Sequence, residues 1–524
     1  MGDFSVAAVF SDSCVLQRDK CVKVFGSASD GKKVTAQYFG KTYETIAKNG
    51  IWVITLDPHA AAEGVTLIIS CDGEEKKFTD IAIGEVWVAG GQSNMEFELQ
   101  NATAGEEMLK NDVTPNVRYY YTQKRILMDD EFYEAEKNTG WSKFGPESAR
   151  AWSAVGYVFA KKLADSLGVT VGVIGCNWGG TSATCWMSRE AIAENDITKP
   201  YLTDFDEAVK GKTDEEQIKE YLDYEEYDRE WNEKAQAVYA EKPNASWDEV
   251  QKVVGPNLWP GPMSIINPFK CPGGLYKSML KRIIPYTIKG VIFYQGESDD
   301  HKPFAYETLF PRMIKQWRDD WEDDSLAFMF TQLTMCRYEA DPDYKHWCPI
   351  REAQQKTFDT VKNTGMAVIV DAGAFNDIHP KDKRPVGDRL YRQAMNVVYG
   401  KMTDDEANGP LYSHTVFTDK ACVFFKHAQD GFDVKGDEIL GFEIAGDDKV
   451  FFPAKALAFP KHECVMVSSD KVAKPAYVRY LWTNYGEVTL FGKNGIPAAP
   501  FRSSRHDQDE AVKADNTIQQ VMAL

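Results

Sequence analysis

The sequence predicts an α/β protein, a parallel sheet wrapped by helices, with β-rich regions at both ends of the chain. Three observations carry this reading. Five apolar runs, IAIGEVWVAG, VTVGVIGC, KGVIFYQG, SLAFMFTQL and MAVIVDAG, have the length and continuity of strands buried on both faces. Helical patterns such as AWSAVGYVFAKKLADSLG and LYKSMLKRIIP lie between them, and that alternation is the signature of a parallel sheet. Short strand-like segments punctuated by Gly, Asp and Asn fill the two ends.

Taken in order, residues 1–80 hold KVTAQYF, YETIA, GIWVITLD and VTLIISCD, the rhythm of a small β-sandwich-like domain. Residues 81–404 form the α/β domain. Inside it, 195–262 is rich in Glu, Lys, Tyr and Asp before turning Pro-rich, and reads as a helical insertion with a solvated face. From 405 to 524 the strand rhythm returns in VFTDKACVFFKHA, EILGFEIAG, CVMVSSD, AYVRYLWTN and EVTLFG, predicting a second β domain. The tail that begins SSRHDQDE either crosses back onto the body or hangs loose.

Composition narrows the function classes. A formal charge of −19 argues against nucleic acid or an anionic membrane surface as a partner. It leaves a neutral small substrate natural, and a homo-oligomer stays compatible with it. No stretch approaches the ~18 apolar residues of a membrane span. The N-terminal segment lacks the basic start and apolar core of a secretory leader, and the ten cysteines include no CxxC pair. A reducing, cytoplasmic setting is therefore expected, and the sequons at Asn101 and Asn244 are read as chance. The 13 Trp and 24 Tyr suit sugar-binding surfaces, although β cores use the same residues.

In an open parallel sheet, ligands bind beyond the carboxyl ends of the strands. The first run ends in Gly90-Gly91-Gln92-Ser93-Asn94-Met95-Glu96 and the second in Asn177-Trp178-Gly179-Gly180-Thr181-Ser182. The third leads to Gln295-Gly296-Glu297-Ser298, and the fifth to Asn376-Asp377-Ile378-His379-Pro380. A serine, a glycine turn, an amide and a histidine are the parts of an acyl-transfer site. Ser93 is the expected nucleophile and His379 its base, with Asp377 the nearest carboxylate to orient the imidazole. The oxyanion would be met by the N–H of Ser93, by Gly179 or Gly180, and by the side chain of Gln295. Each donor is worth ~3 kcal/mol of barrier. Singly, each feature has a plainer reading: an N-cap serine, an ordinary turn, a core amide, a loop histidine. His301, just past Gln295, is the rival base; His379 is preferred because it follows the last core strand and has a carboxylate two residues upstream.

The blocks GQSNME, NWGGTSATCW, YQGES and NDIHP resemble the signature blocks of the SGNH hydrolases, and more narrowly those of sialate O-acetylesterase-like carbohydrate esterases. FSDSCVLQRDKCVKVFGSA, GFEIAG, VRYLWTN and GIPAAPFRSS extend the resemblance over nearly the whole chain. It implies a flavodoxin-like three-layer hydrolase domain and a serine mechanism without metal or cofactor. Ser93, the 179–180 turn, Gln295 and His379 match the family positions; Gln92, Asn94 and Trp178 are the expected substrate contacts, and Glu297 is either a sugar-hydroxyl partner or a structural anchor. One departure stands out. The wider clan places its acid three residues before the histidine, where this chain has Asn376, so Asp377, another carboxylate or a main-chain carbonyl is left to orient His379.

The resemblance implies removal of acetyl groups from a carbohydrate, either sialic acid or an oligosaccharide derived from xylan or mannan. A sialate carboxylate would call for a cation near Ser93, for which Arg189, Arg337 and Arg384 are the candidates. Two other classes stay open. A glycoside hydrolase would pair Glu297 with Asp377 across a sugar, ~5–9.5 Å apart. A non-catalytic carbohydrate-binding protein would use the β regions around an inert core.

Overall fold

The computed structural model describes residues 4–505 apart from 243, 244 and 246. The C-terminal tail beyond 505 and the sequon at Asn244 lie outside the described residues.

The strand β1 (Val15–Gln17) and the long strands β2 (Ala62–Cys71) and β3 (Glu74–Gly91) open the chain's main sheet. β3 first pairs antiparallel with β2, then takes β1 as a parallel neighbour, and then enters the parallel sheet at the centre of the molecule. The boundary expected near residue 80 therefore falls inside one continuous strand. Its burial changes there from mostly exposed to complete burial.

A single helical turn, α1 (Ser93–Glu96), follows β3 directly. Next come β4 (Val117–Tyr121), α2 (Ala154–Leu167) and β5 (Val171–Asn177). The expected insertion contains a short helix at Pro200–Ala208, then α3 (Asp214–Glu241) and α4 (Trp247–Val254). Thr213 and Glu216 close a capping box at the start of α3. The chain continues through β6 (Gly290–Tyr294), α5 (Tyr306–Trp321), β7 (Ala327–Gln332), β8 (Cys336–Arg337), α6 (Trp347–Thr360), β9 (Thr364–Val368), β10 (Ala374–Phe375) and α7 (Arg384–Val397).

The parallel order is β4-β5-β3-β6-β7-β9. The five expected strands are all present, and β4 is a sixth. Its sequence VRYYY is aromatic and basic rather than aliphatic, which hid it; its first four residues are buried. Helices α2 and α7 pack on each other, as do α5 and α6. From β3 the chain fills one side of the sheet with β4 and β5, then crosses to the other with β6, β7 and β9. The crevice at such a reversal is where open α/β sheets bind ligands, and β3, flanked by β5 and β6, ends there.

Toward the C-terminus the strands 411–417, 421–426, 464–468 and 455–459 form one antiparallel sheet, and 452–453, 442–445, 477–480 and 501–502 another. The loop that follows 477–480 reaches back toward the crevice. Asn484 donates its side-chain amide to Asp341 and its main-chain N–H to Asp343, each at 2.8 Å, and Tyr485 lies 5.6 Å from the Phe375 ring. These contacts brace β8 and β10, which pair in parallel just before His379. Buried apolar side chains from Phe4 to Phe501 make one connected core.

Candidate active site

Ser93 opens α1 at the C-terminal end of β3. The Gln92 N–H is held by the Tyr294 carbonyl at 3.0 Å, which fixes where the turn begins. The first N–H groups of a helical turn have no carbonyl behind them, and the Ser93 N–H meets no acceptor among the described residues. Its Oγ lies 2.8 Å from Nε2 of His379, so nucleophile and base come together from opposite ends of the α/β region. Burial, and then the charge of Lys383, lower the pKa of His379 below the ordinary 6.5, while Asp377 and Glu96 oppose the shift. A neutral imidazole can accept the serine proton.

Gly179 lies against the nucleophile: a Cβ there would stand 3.1 Å from the Ser93 Cβ, so a side chain would press on the serine. Its N–H, however, is donated to the Glu96 carboxylate, which is itself paired with Lys124. The Gly180 N–H meets no acceptor among the described residues and stays open.

Several expected roles need correction. Gln295 is 1% exposed and both of its amide protons are spent, on the Thr181 carbonyl at 3.1 Å and on Asp299 at 2.6 Å. It anchors the glycine turn from within and has no proton left for an oxyanion. Asn94 is wholly buried; its amide donates to Glu297 at 2.7 Å and to the Ile378 carbonyl at 3.0 Å, and its oxygen accepts from Lys383. It holds the residue before His379 and does not face a substrate. Glu297 sits behind it, 4% exposed, with burial raising its pKa, so it meets neither a sugar hydroxyl nor a second carboxylate across a sugar. Gln92 is also buried, accepting the Ser298 N–H at 3.2 Å. Trp178 is partly buried against the core.

Asp377 is exposed, and its Oδ1 accepts the main-chain N–H of His379 at 2.8 Å. A spacing of two residues suits this fold-back, since an Asp side chain readily caps the amide two positions on. Asp377 thus shapes the loop and acts on the imidazole by charge. The described residues supply no hydrogen bond to the His379 Nδ1. Asn376 turns away, its oxygen accepting from the Glu339 N–H at 3.2 Å. His301 is no base here: its ring packs edge-on against Tyr201, and burial pushes its pKa down to about 3.

Three residues escaped the sequence reading. Lys383, in PKDKR, looks like part of a solvated charge run, yet it is 2% exposed, with burial pushing its pKa down to about 8. Glu96 was legible only as the end of the GGQSNME block. Asp299 is fully buried and accepts four hydrogen bonds, from Ser182 at 2.6 Å, Tyr201 at 2.9 Å, the Ala183 N–H at 2.9 Å and Gln295 at 2.6 Å. It ties the glycine turn to the end of β6.

The chain is similar to known carbohydrate esterases. Residues 261–394 match the family described as carbohydrate esterase, sialic acid-specific acetylesterase. The sialate O-acetylesterase of Mus musculus is 25% identical, over 95% of this chain and 94% of that one. The human sialate O-acetylesterase is 23% identical, over 96% and 93% respectively. The crystal structure of a carbohydrate acetylesterase from Xanthomonas citri superposes with a TM-score of 0.74 at 28% identity, covering 96% of this chain and 99% of that one. Over nearly its whole length the chain is similar to sialate O-acetylesterases and to a carbohydrate acetylesterase, and it is a carboxylic ester hydrolase.

Proposed function

We propose that this chain removes O-acetyl groups from a carbohydrate through an acetyl-enzyme on Ser93, with His379 as general base. The observation that carries the reading is the 2.8 Å contact between Ser93 Oγ and the neutral imidazole. His379 takes the serine proton as Oγ attacks the acetyl carbon. The N–H groups of Ser93 and Gly180 receive the negative oxygen. The imidazolium gives its proton to the departing sugar oxygen, and the now neutral imidazole takes a proton from a water whose oxygen attacks the acetyl carbon; that proton passes to Ser93 Oγ as acetate leaves.

The six-stranded parallel sheet with its two helix pairs supports a flavodoxin-like, three-layer SGNH hydrolase core. We read residues 1–80 and 405–524 as flanking β domains. The ten cysteines, none paired with another, support a reducing compartment.

For the sugar, the relatives' names suggest sialate, and the Xanthomonas protein suggests carbohydrates more broadly. Arg189 and Arg384 are neutralised by Asp206 and Asp382. Arg337, on β8 beside the His379 loop, has no ion pair among the described residues and lies over the Phe375 ring. It is the cation best suited to a sugar carboxylate. The test is acetate release from acetylated sialic acids, acetylated xylan and mannan, and simple acetates, by wild type and Ser93→Ala. Release that disappears in Ser93→Ala supports the reading. Equal release by both proteins overturns it.

A further inference from the structure

We propose that Trp259 is a platform on which a pyranose ring of the substrate stacks, and that the 195–262 insertion exists in part to hold it there. This rests on the esterase reading above and adds the site that recognises the sugar.

The indole lies over the catalytic turn. A Cβ on Gly180, whose φ is +72°, would stand 2.9 Å from Cζ2 of Trp259 and 3.1 Å from Cδ1 of Phe269. The neighbouring Gly179 is the residue that touches Ser93. Consecutive Cα atoms are 3.8 Å apart, so the indole edge is at most about 14 Å from Ser93 Oγ. Trp259 is 41% exposed, an unusual position for so large an apolar side chain beside a reactive group. Among the described residues its Nε1–H has no acceptor, which leaves it free for a sugar hydroxyl.

The segment that presents this ring is firmly held. Tyr227 of α3 donates to the Pro256 carbonyl at 2.7 Å, and Trp231 to the Gly255 carbonyl at 2.9 Å. Asn267 donates to the carbonyls of Pro260 and Pro262 at 3.0 and 2.9 Å, and Asn257 accepts the Trp259 N–H at 2.8 Å. Phe269 braces the indole edge-on at 5.5 Å. An exposed aromatic ring fixed in advance binds without the entropy cost of ordering it. Its flat apolar face suits the C–H face of a pyranose, and its N–H suits an adjoining hydroxyl.

The experiment compares Trp259→Ala and Trp259→Phe with wild type on two acetates, an acetylated oligosaccharide and ethyl acetate, which has no ring to stack. Trp259→Ala is expected to raise KM for the oligosaccharide about tenfold, as for the loss of one aromatic contact. Its kcat and its hydrolysis of ethyl acetate should stay at the wild-type level, and Trp259→Phe should recover most of the lost affinity. An unchanged KM in Trp259→Ala, or an equal loss on both acetates, overturns the platform while leaving the esterase reading intact. If wild type hydrolyses neither acetate, the esterase reading falls and the platform with it.

Discussion

Replacing Asp299 by alanine should loosen the glycine turn and cost more stability than any exposed substitution in the site. The buried carboxylate is the acceptor for two donors with no alternative, the Ala183 N–H and one Gln295 N–H. A buried donor left unpaired costs ~1–3 kcal/mol, so the two together cost ~2–6 kcal/mol. The hydroxyls of Ser182 and Tyr201 can rotate, and Ser182 already lies 2.9 Å from Thr184 Oγ1, so they add less. Asp299→Asn separates charge from shape. Its oxygen can still face the two obligate donors while its NH₂ faces the hydroxyls, which can accept. It loses only the charge assistance, ~1 kcal/mol per bond or ~2 kcal/mol in all. Urea unfolding followed by tryptophan fluorescence should therefore rank wild type above Asn and Asn above Ala. Acetate release should fall in the same order, because Gly180 rides on this turn. If both variants lie within ~0.5 kcal/mol of wild type and keep full activity, the anchoring argument is wrong.

The pH dependence of kcat/KM should show an acid limb below 6.5, since activity is lost only as pH falls through the lowered pKa of His379. Lys383→Met removes a cation that opposes protonation of that imidazole, so its acid limb should move to higher pH; no movement, or movement downward, would count against the assignment. Asp377→Asn keeps an oxygen for the His379 main-chain N–H, so turnover should fall less than about tenfold. A fall of ~10⁴ would instead mark Asp377 as a tautomer-fixing acid.

The strand ends were legible in the sequence because parallel strands buried on both faces are continuous apolar runs, and function collects where they stop. Ser93, the glycine turn and His379 meet there as expected. Which polar side chains face inward was not legible. Gln92, Asn94, Gln295 and Glu297 stand at the right strand ends, but each is held by a partner distant in sequence: Ser298, Lys383, Thr181 and Asn94. A one-dimensional pattern gives a polar residue's position along a strand end, not the direction its side chain takes once helices close over it. Lys383 was missed for the converse reason: a lysine among charged neighbours looks solvated until the fold places it under Phe97 and Tyr294. The Asp377 spacing was legible, but its meaning, an Asx-type turn rather than a bond to the ring, depends on loop geometry.

The central claim is a covalent acetyl-Ser93 formed with the help of His379. Rapid quenching of the enzyme during turnover of an activated aryl acetate, followed by peptide mapping, tests it directly. The account predicts one acetyl group on the peptide containing Ser93, absent from Ser93→Ala and released as free acetate during the chase. An acetyl group on another residue, or wild-type acetate release from Ser93→Ala, would contradict it.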